Sequence, residues 1–212
     1  MADTSRRAML TALGLAPFAG GLAAWSSTGE PKAATTPRVW KDRDPREHMR
    51  DRYFPNVELV THAGKKVRFY DDLVKDRKVV FNMIYVACEK ICIPTTMNLV
   101  TVQRMLEERN ARDIHFYTFT LTPEEDTPEV LAEYAKTHGA GGRWTFLTGT
   151  TKNIDTVRRK LGFTYPDPEE DADKSNHVGM LRFGNEPEMR WGACPGQANP
   201  EHIVRTMLWD LA

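Results

Sequence analysis

Lys78-Val79-Val80-Phe81-Asn82-Met83-Ile84-Tyr85-Val86-Ala87-Cys88-Glu89-Lys90-Ile91-Cys92-Ile93-Pro94 is the stretch whose reading decides the fold. The run from Val79 to Ala87 is apolar on both faces, as a strand flanked by parallel neighbours should be. Two cysteines follow, four residues apart. After Pro94 a helical pattern runs from Thr95 to about Glu108, with Leu99, Val102 and Leu106 on one side. A strand, a cysteine-bearing turn and a helix bring two thiols to a sheet edge, held rigidly and open to solvent. The chain has 3 cysteines, so this pair carries most of its sulfur chemistry.

The spacing limits what the pair can do. Residues i and i+4 on a helix lie about 5–6 Å apart at Cβ. A disulfide needs roughly 3.5–4.5 Å, so a small adjustment of the turn would close one. Two thiolates on one metal ion need a similar separation. The motif can therefore hold a metal or form a disulfide. Two buried cysteines serving as small hydrophobes is the bland alternative. Their place at a turn, outside an apolar run, argues against it.

Working outward, Ile114–Thr120 reads as the next strand, completing a β-α-β unit with a right-handed crossover. Upstream, Val57–Thr61 and Val67–Phe69 form a hairpin across His62–Lys65. Downstream, Thr127 is a helix N-cap and Pro128 suits the first helical position. Gly139 ends that helix. Trp144–Leu147 is a short strand. Ile154, Val157 and Leu161 mark a further helix, closed by Gly162. The acidic stretch 164–176 reads as an exposed loop. A late hairpin runs from His177 to Phe183, turns at Gly184-Asn185 and returns through Met189–Trp191. A last helix covers Pro200 to Leu211. This order predicts an α/β, thioredoxin-like fold with an N-terminal hairpin and an extra helix at 128–138.

The ends of the chain read differently. Residues 1–34 resemble a twin-arginine export signal: Arg6-Arg7, then a mildly apolar run from Ala8 to Trp25 broken by Gly14, Pro17, Gly20 and Gly21. Cleavage is expected after Ala24 or near Ala33-Ala34; an uncleaved membrane anchor is the alternative. The expected location is the periplasm. Residues 35–53 are polar and read as a linker or arm, leaving 54–212 as the domain. Lys and Arg number 29 against 29 Asp and Glu, with no basic stripe for nucleic acid. A domain of this size buries a core without disulfide staples, so its cysteines are free for chemistry.

Four features together resemble the Sco/SenC family of thioredoxin-like copper chaperones. They are Phe54-Pro55-Asn56-Val57-Glu58-Leu59, the Cys88/Cys92 pair, Thr122-Pro123-Glu124-Glu125-Asp126-Thr127-Pro128-Glu129, and His177 opening the late hairpin. The resemblance implies a copper site, Cu(I) or Cu(II), with Cys88, Cys92 and His177 as ligands. It also implies a redox-active cysteine pair, and a client such as the CuA subunit of cytochrome c oxidase. Membrane contact is expected only through the signal or anchor. The chain departs from the family pattern at Ile93, between the second cysteine and Pro94; at Thr122, usually aspartate; and at Asn176, usually acidic. Two thiolates and an imidazole suit copper in either state. The other histidines, His48, His62, His115, His138 and His202, read as structural. Met180 and Met189 are expected to pack in the sheet. Cys194 reads as a partly buried loop residue, or as a resolving thiol. A metal-free thiol-disulfide oxidoreductase is the alternative function. Peroxidase chemistry is weakest, because Tyr85 stands where thioredoxin-fold peroxidases usually have threonine.

Overall fold

Seven strands form one sheet in the order β2-β1-β5-β4-β3-β6-β7. They are β1 (Glu58–Thr61), β2 (Lys66–Arg68), β3 (Lys78–Ile84), β4 (Ile114–Thr120), β5 (Trp144–Thr148), β6 (Met180–Asn185) and β7 (Arg190–Pro195). The helices are α1 (Pro45–Tyr53), α2 (Cys92–Glu108), α3 (Pro128–Thr137), α4 (Thr151–Lys160), α5 (Pro168–Ala172) and α6 (Pro200–Leu211). This computed structural model describes residues 44–173 and 179–211. The export-signal reading of 1–34 and the ligand reading of His177 lie outside the described residues. None of the described helices is long and apolar enough to cross a membrane.

The centre is parallel: β3 pairs with β4 in register from Lys78↔Ile114 to Ile84↔Thr120, and β4 pairs with β5. The β6–β7 hairpin joins β3 antiparallel, with Lys78 opposite Asn185. β-α-β followed by β-β-α is the thioredoxin-like core, and the β1–β2 hairpin is appended beside β5. Alternating residues of β3 divide the interior. Val80 and Ile84 pack with Leu99, Val102 and Leu106 of α2, Leu131 of α3 and Ile203 of α6. Val79, Phe81 and Met83 pack on the other face with Leu59, the π turn Phe69–Val74 and Ile154 and Val157 of α4.

Several expectations need correction. The strand expected to run to Ala87 stops at Ile84, where the Leu121 N–H donates to its carbonyl at 2.7 Å, and the chain turns away. α2 starts at Cys92, three residues earlier than expected. The loop at 164–176 contains α5, capped by Asp167, whose carboxylate accepts from the N–H groups of Glu169 and Glu170. Gly184 and Asn185 belong to β6, and the hairpin turns instead at 186–189. Met189 is 40% exposed with φ 54° in that turn, outside the sheet core. Cys194 lies inside β7, opposite Leu181, not in a loop. The polar stretch 35–53 contains α1; Asp44 caps it, and none of its residues is buried.

Candidate metal and thiol site

The β3–α2 turn is built around Cys88. Its sulfur accepts a hydrogen bond from the Cys92 N–H at 3.4 Å. Cys92 is the first residue of α2, and the preceding Ile91 supplies no side-chain cap. The Cys88 sulfur thus takes the place of an N-cap oxygen, facing the amides that every helix start leaves unpaired. Pro94 sits at the third helical position, where its missing N–H costs nothing.

Burial opposes ionisation of the Cys88 thiol. The N–H groups of Cys92 and Ile91, the Cys92 side chain and the Tyr85 hydroxyl oppose that effect and win, so Cys88 is pulled below the usual thiol range. A helix N-terminus favours an anion for the same reason. Cys92 behaves oppositely: burial dominates, with the Cys88 sulfur and the Asp126 charge adding to it, and its thiol is pushed well up. Cys88 and Cys92 are 4% and 1% exposed, so the site is less open than the sequence suggests. Both are free thiols.

Asp126 supports the turn from below. It is buried, and its Oδ2 accepts from the Val86 N–H at 3.2 Å, the Thr122 hydroxyl at 2.9 Å and the Thr120 hydroxyl. Thr122, one of the departures from the family pattern, therefore serves as a donor to this carboxylate. Sequence reasoning missed Tyr85 and Asp126 as parts of the site. A signal existed for each: Tyr85 precedes Cys88 by three residues, and Asp126 lies in the quoted Thr122–Glu129 motif.

The segment after β7 closes over the start of α2. Asn98 Nδ2 donates to the carbonyls of Gly196 and Ala198, each at 2.8 Å. Gly196 itself donates to the Gly179 carbonyl at 2.8 Å. A Cβ on Gly196 would meet Thr95 Cγ2 at 2.7 Å, so this close approach needs glycine. Gly179, two residues after His177 in sequence, comes up against Ile91, the residue before Cys92.

The structure brings Cys88 and Cys92 together. Cys194 is buried in β7, and burial raises its thiol to about 11, so it stays protonated. Among the described residues no group of three or more His, Cys, Asp or Glu side chains converges on a metal position. Two of the predicted ligands lie side by side; a third donor has to come from outside this pair. Among the remaining histidines, His62 Nδ1 accepts from the Phe146 N–H, and His138 Nδ1 bonds the Tyr134 carbonyl, as structural residues do.

The family model for SCO1/SenC matches residues 46–210. The SCO1 protein homolog of Bacillus subtilis (strain 168) is 32% identical over 73 residues, 34% of this chain and 37% of the relative. The SCO2-like protein of Rickettsia prowazekii (strain Madrid E) is 30% identical over 121 residues, 57% of each. The chain thus spans well under two thirds of either relative's length in these matches. Among solved structures, Arabidopsis thaliana ScoI with copper bound has a TM-score of 0.59 at 19% identity, covering 72% of this chain and 93% of that one. BsSco, described with a disulfide switch and as a member of the Sco family of cytochrome c oxidase assembly proteins, has a TM-score of 0.59 at 22% identity, covering 72% and 90%. At these identities the structural likeness is one of fold.

Proposed function

The chain belongs to the SCO1/SenC family, and we propose that it is an exported copper metallochaperone whose cargo is held by Cys88, Cys92 and His177. One observation carries this reading: Cys88 and Cys92 stand together at the start of α2, with the Cys92 N–H on the Cys88 sulfur at 3.4 Å. The copper-bound structure of a fold relative supports it. Soft thiolates favour Cu(I), and an imidazole adds tolerance of Cu(II). Cys88 reaches its thiolate more easily than Cys92, so it engages the ion first; Cys92 gives up its proton as it joins. The client is a copper enzyme, such as the CuA subunit of a terminal oxidase. Residues 1–34 act as a twin-arginine signal leading to the periplasm, and 35–53, the linker or arm, carries α1 at its end.

A second reading rests on the unequal thiols. In an exchange reaction the Cys88 thiolate attacks a partner disulfide and releases one partner thiolate. Cys92 then attacks the mixed disulfide. Cys88–Cys92 closes, two electrons pass to the partner, and the partner leaves as a dithiol. The same pair can reduce a client before copper delivery.

Copper titration of the reduced protein tests the first reading. One ion per chain is expected. Cys88→Ser and Cys92→Ser should each weaken binding by at least about a hundredfold, as loss of one of two thiolates does. Cys194→Ser should bind as the parent does. Equal damage from Cys194→Ser would show the site to be misassigned.

A further inference from the structure

The end of the molecule opposite the cysteines has a composition of its own. β3 runs from Lys78, at this far end, to Ile84 beside the cysteine turn, about 20 Å for seven residues. The start of β4, the end of α2, the start of β7 and the end of α6 all gather at the far end with Lys78. Two adjoining grooves lie there, of about 660 and 620 Å³, sharing Arg109 and Leu208. Their charged lining is uneven. Lys78, Arg109, Arg112, Arg143, Arg190 and Arg205 face them, against Glu201 and Asp113. Glu201 pairs with Arg109 at 2.9 Å, and Asp113 pairs with Lys78 at 3.1 Å. Arg190 bonds the Trp209 carbonyl and lies 3.7 Å from Glu188, so the excess cations are Arg112, Arg143 and Arg205. The whole chain is balanced at 29 to 29, so this bias is local. His115 feels it: burial first, then Arg77 and Arg143, hold its imidazole down to about 4.

Among these cations stands Trp209. It is 78% exposed, the most exposed of the large apolar side chains at the described surface, although α6 buries Ile203, Val204, Met207 and Leu211 on its other side. An exposed indole ringed by arginines on apolar stems is the composition of a protein surface resting at a lipid–water boundary.

The path of the chain agrees. Arg46, in the first turn of α1, bonds Glu186 and Asp76. Glu186 follows Asn185, the partner of Lys78, so α1 begins at this same far end. Forty-three residues precede Asp44, and they join the described chain here.

We propose that the far end, centred on Trp209 and on Arg112, Arg143 and Arg205 along the two grooves, docks on an anionic phospholipid surface, leaving the cysteine turn directed away from the bilayer. Phosphates of the headgroups meet the guanidinium groups, and the indole sits at the level of the glycerol backbone. A copper-handling turn aimed away from the membrane would stay accessible to a client. The docking surface shares no residue with the copper site, so each can fail without the other.

The test is flotation of the full-length protein with phosphatidylcholine vesicles, with and without one third phosphatidylglycerol. The parent, Trp209→Ala, and Arg205→Glu with Trp209→Ala are compared at low and high salt. A basic residue near an anionic surface is worth about fivefold in affinity, so a charge reversal should cost roughly twentyfold. The expected result is anionic-lipid-dependent binding that is weakened by salt, falls in Trp209→Ala, and falls by that further factor from Trp209→Ala to the double variant. Both positions are exposed, and unchanged melting would exclude misfolding. Binding that is the same in the parent and the double variant overturns the proposal, since the preceding residues would then supply all the affinity. A concentration-dependent dimer that the double variant abolishes, without lipid dependence, also overturns it and assigns the patch to a second copy of the chain.

Discussion

Cys88 is the residue on which the chemistry turns, and its setting is only partly legible in the sequence. The four-residue spacing announces a paired thiol. It does not announce that Cys88 precedes the helix and caps it, because that depends on where the strand ends. The positions of Tyr85, three residues before Cys88, and Asp126, in the Thr122–Glu129 motif, are visible in the sequence, but their contacts with the turn need the fold. The consequence is measurable. A lowered thiol pKa means more thiolate at a given pH, and removing a donor raises it. Cys88 should therefore be alkylated by iodoacetamide before Cys92 and Cys194, whose thiols burial holds protonated. Tyr85→Phe removes one donor to the Cys88 sulfur and should slow alkylation at pH 7 roughly threefold to tenfold. Peptide mapping by mass spectrometry reads both effects. Preferential labelling of Cys92 would reverse the assigned roles.

At the scale of elements, periodicity found the central strands and α2, α3, α4 and α6, because each buries an apolar face. α1 was missed because it buries none. It is held by charge: Arg46 Nε donates to Glu186 Oε1 at 2.7 Å, Tyr70 donates to the same oxygen at 2.8 Å, and the Asp76 N–H donates to Oε2 at 2.8 Å. The late hairpin turn was misplaced for a related reason. Gly184 reads as a turn residue, yet it pairs with Val79 and Trp191 inside the sheet, and it is glycine there because a Cβ would stand 2.1 Å from the Trp191 ring. Glu186 makes the α1 attachment pH-sensitive. Burial raises its pKa, but Arg46, the Asp76 amide and Tyr70 outweigh that and leave it below the ordinary value. A depressed carboxylate stabilises the fold above its unfolded pKa, and that stability is lost as pH falls through the folded value. Glu186 is 3% exposed while the Arg46 side chain is 31% exposed, so solvent screens part of the pair. Glu186→Gln should cost about 2 kcal/mol at pH 7, lowering Tm by about 4–8 °C. The difference from the parent should shrink below about pH 4. Thermal melts at pH 7 and pH 3.5 check this; a constant gap would mean the loss is one of packing.

For the whole molecule, the alternation of strands and helices made the thioredoxin-like core readable, and the β1–β2 hairpin and α3 emerged as its additions. The far, cationic end was not readable, because Arg109, Arg112, Arg143, Arg190 and Arg205 are scattered in sequence and only the strand register gathers them. The copper site proposed above has the same long-range character. Its two thiols come from the β3–α2 turn, whereas His177 comes 85 residues after Cys92 and just before β6. An ion held by all three would tie the first β-α-β unit to the last hairpin. Binding to the folded state alone raises stability by RT ln(1 + [L]/Kd), about 4 kcal/mol at a thousandfold excess over Kd. For a domain of this size that is a rise in Tm of about 8–16 °C. Cu(I) accepts two sulfurs nearly in line, so its stabilisation needs little from the imidazole. Cu(II) prefers more donors, with nitrogen among them. His177→Ala should therefore keep most of the Cu(I)-induced rise and lose most of the Cu(II)-induced rise, while the melting of the metal-free protein is unchanged. Thiol-disulfide exchange with a small dithiol should also be unchanged, since exchange needs only the cysteine pair. Calorimetry of both proteins with each ion decides the matter. An undiminished Cu(II) shift in His177→Ala would remove His177 from the site and leave the metal-free exchange reaction as the better account of the Cys88–Cys92 pair.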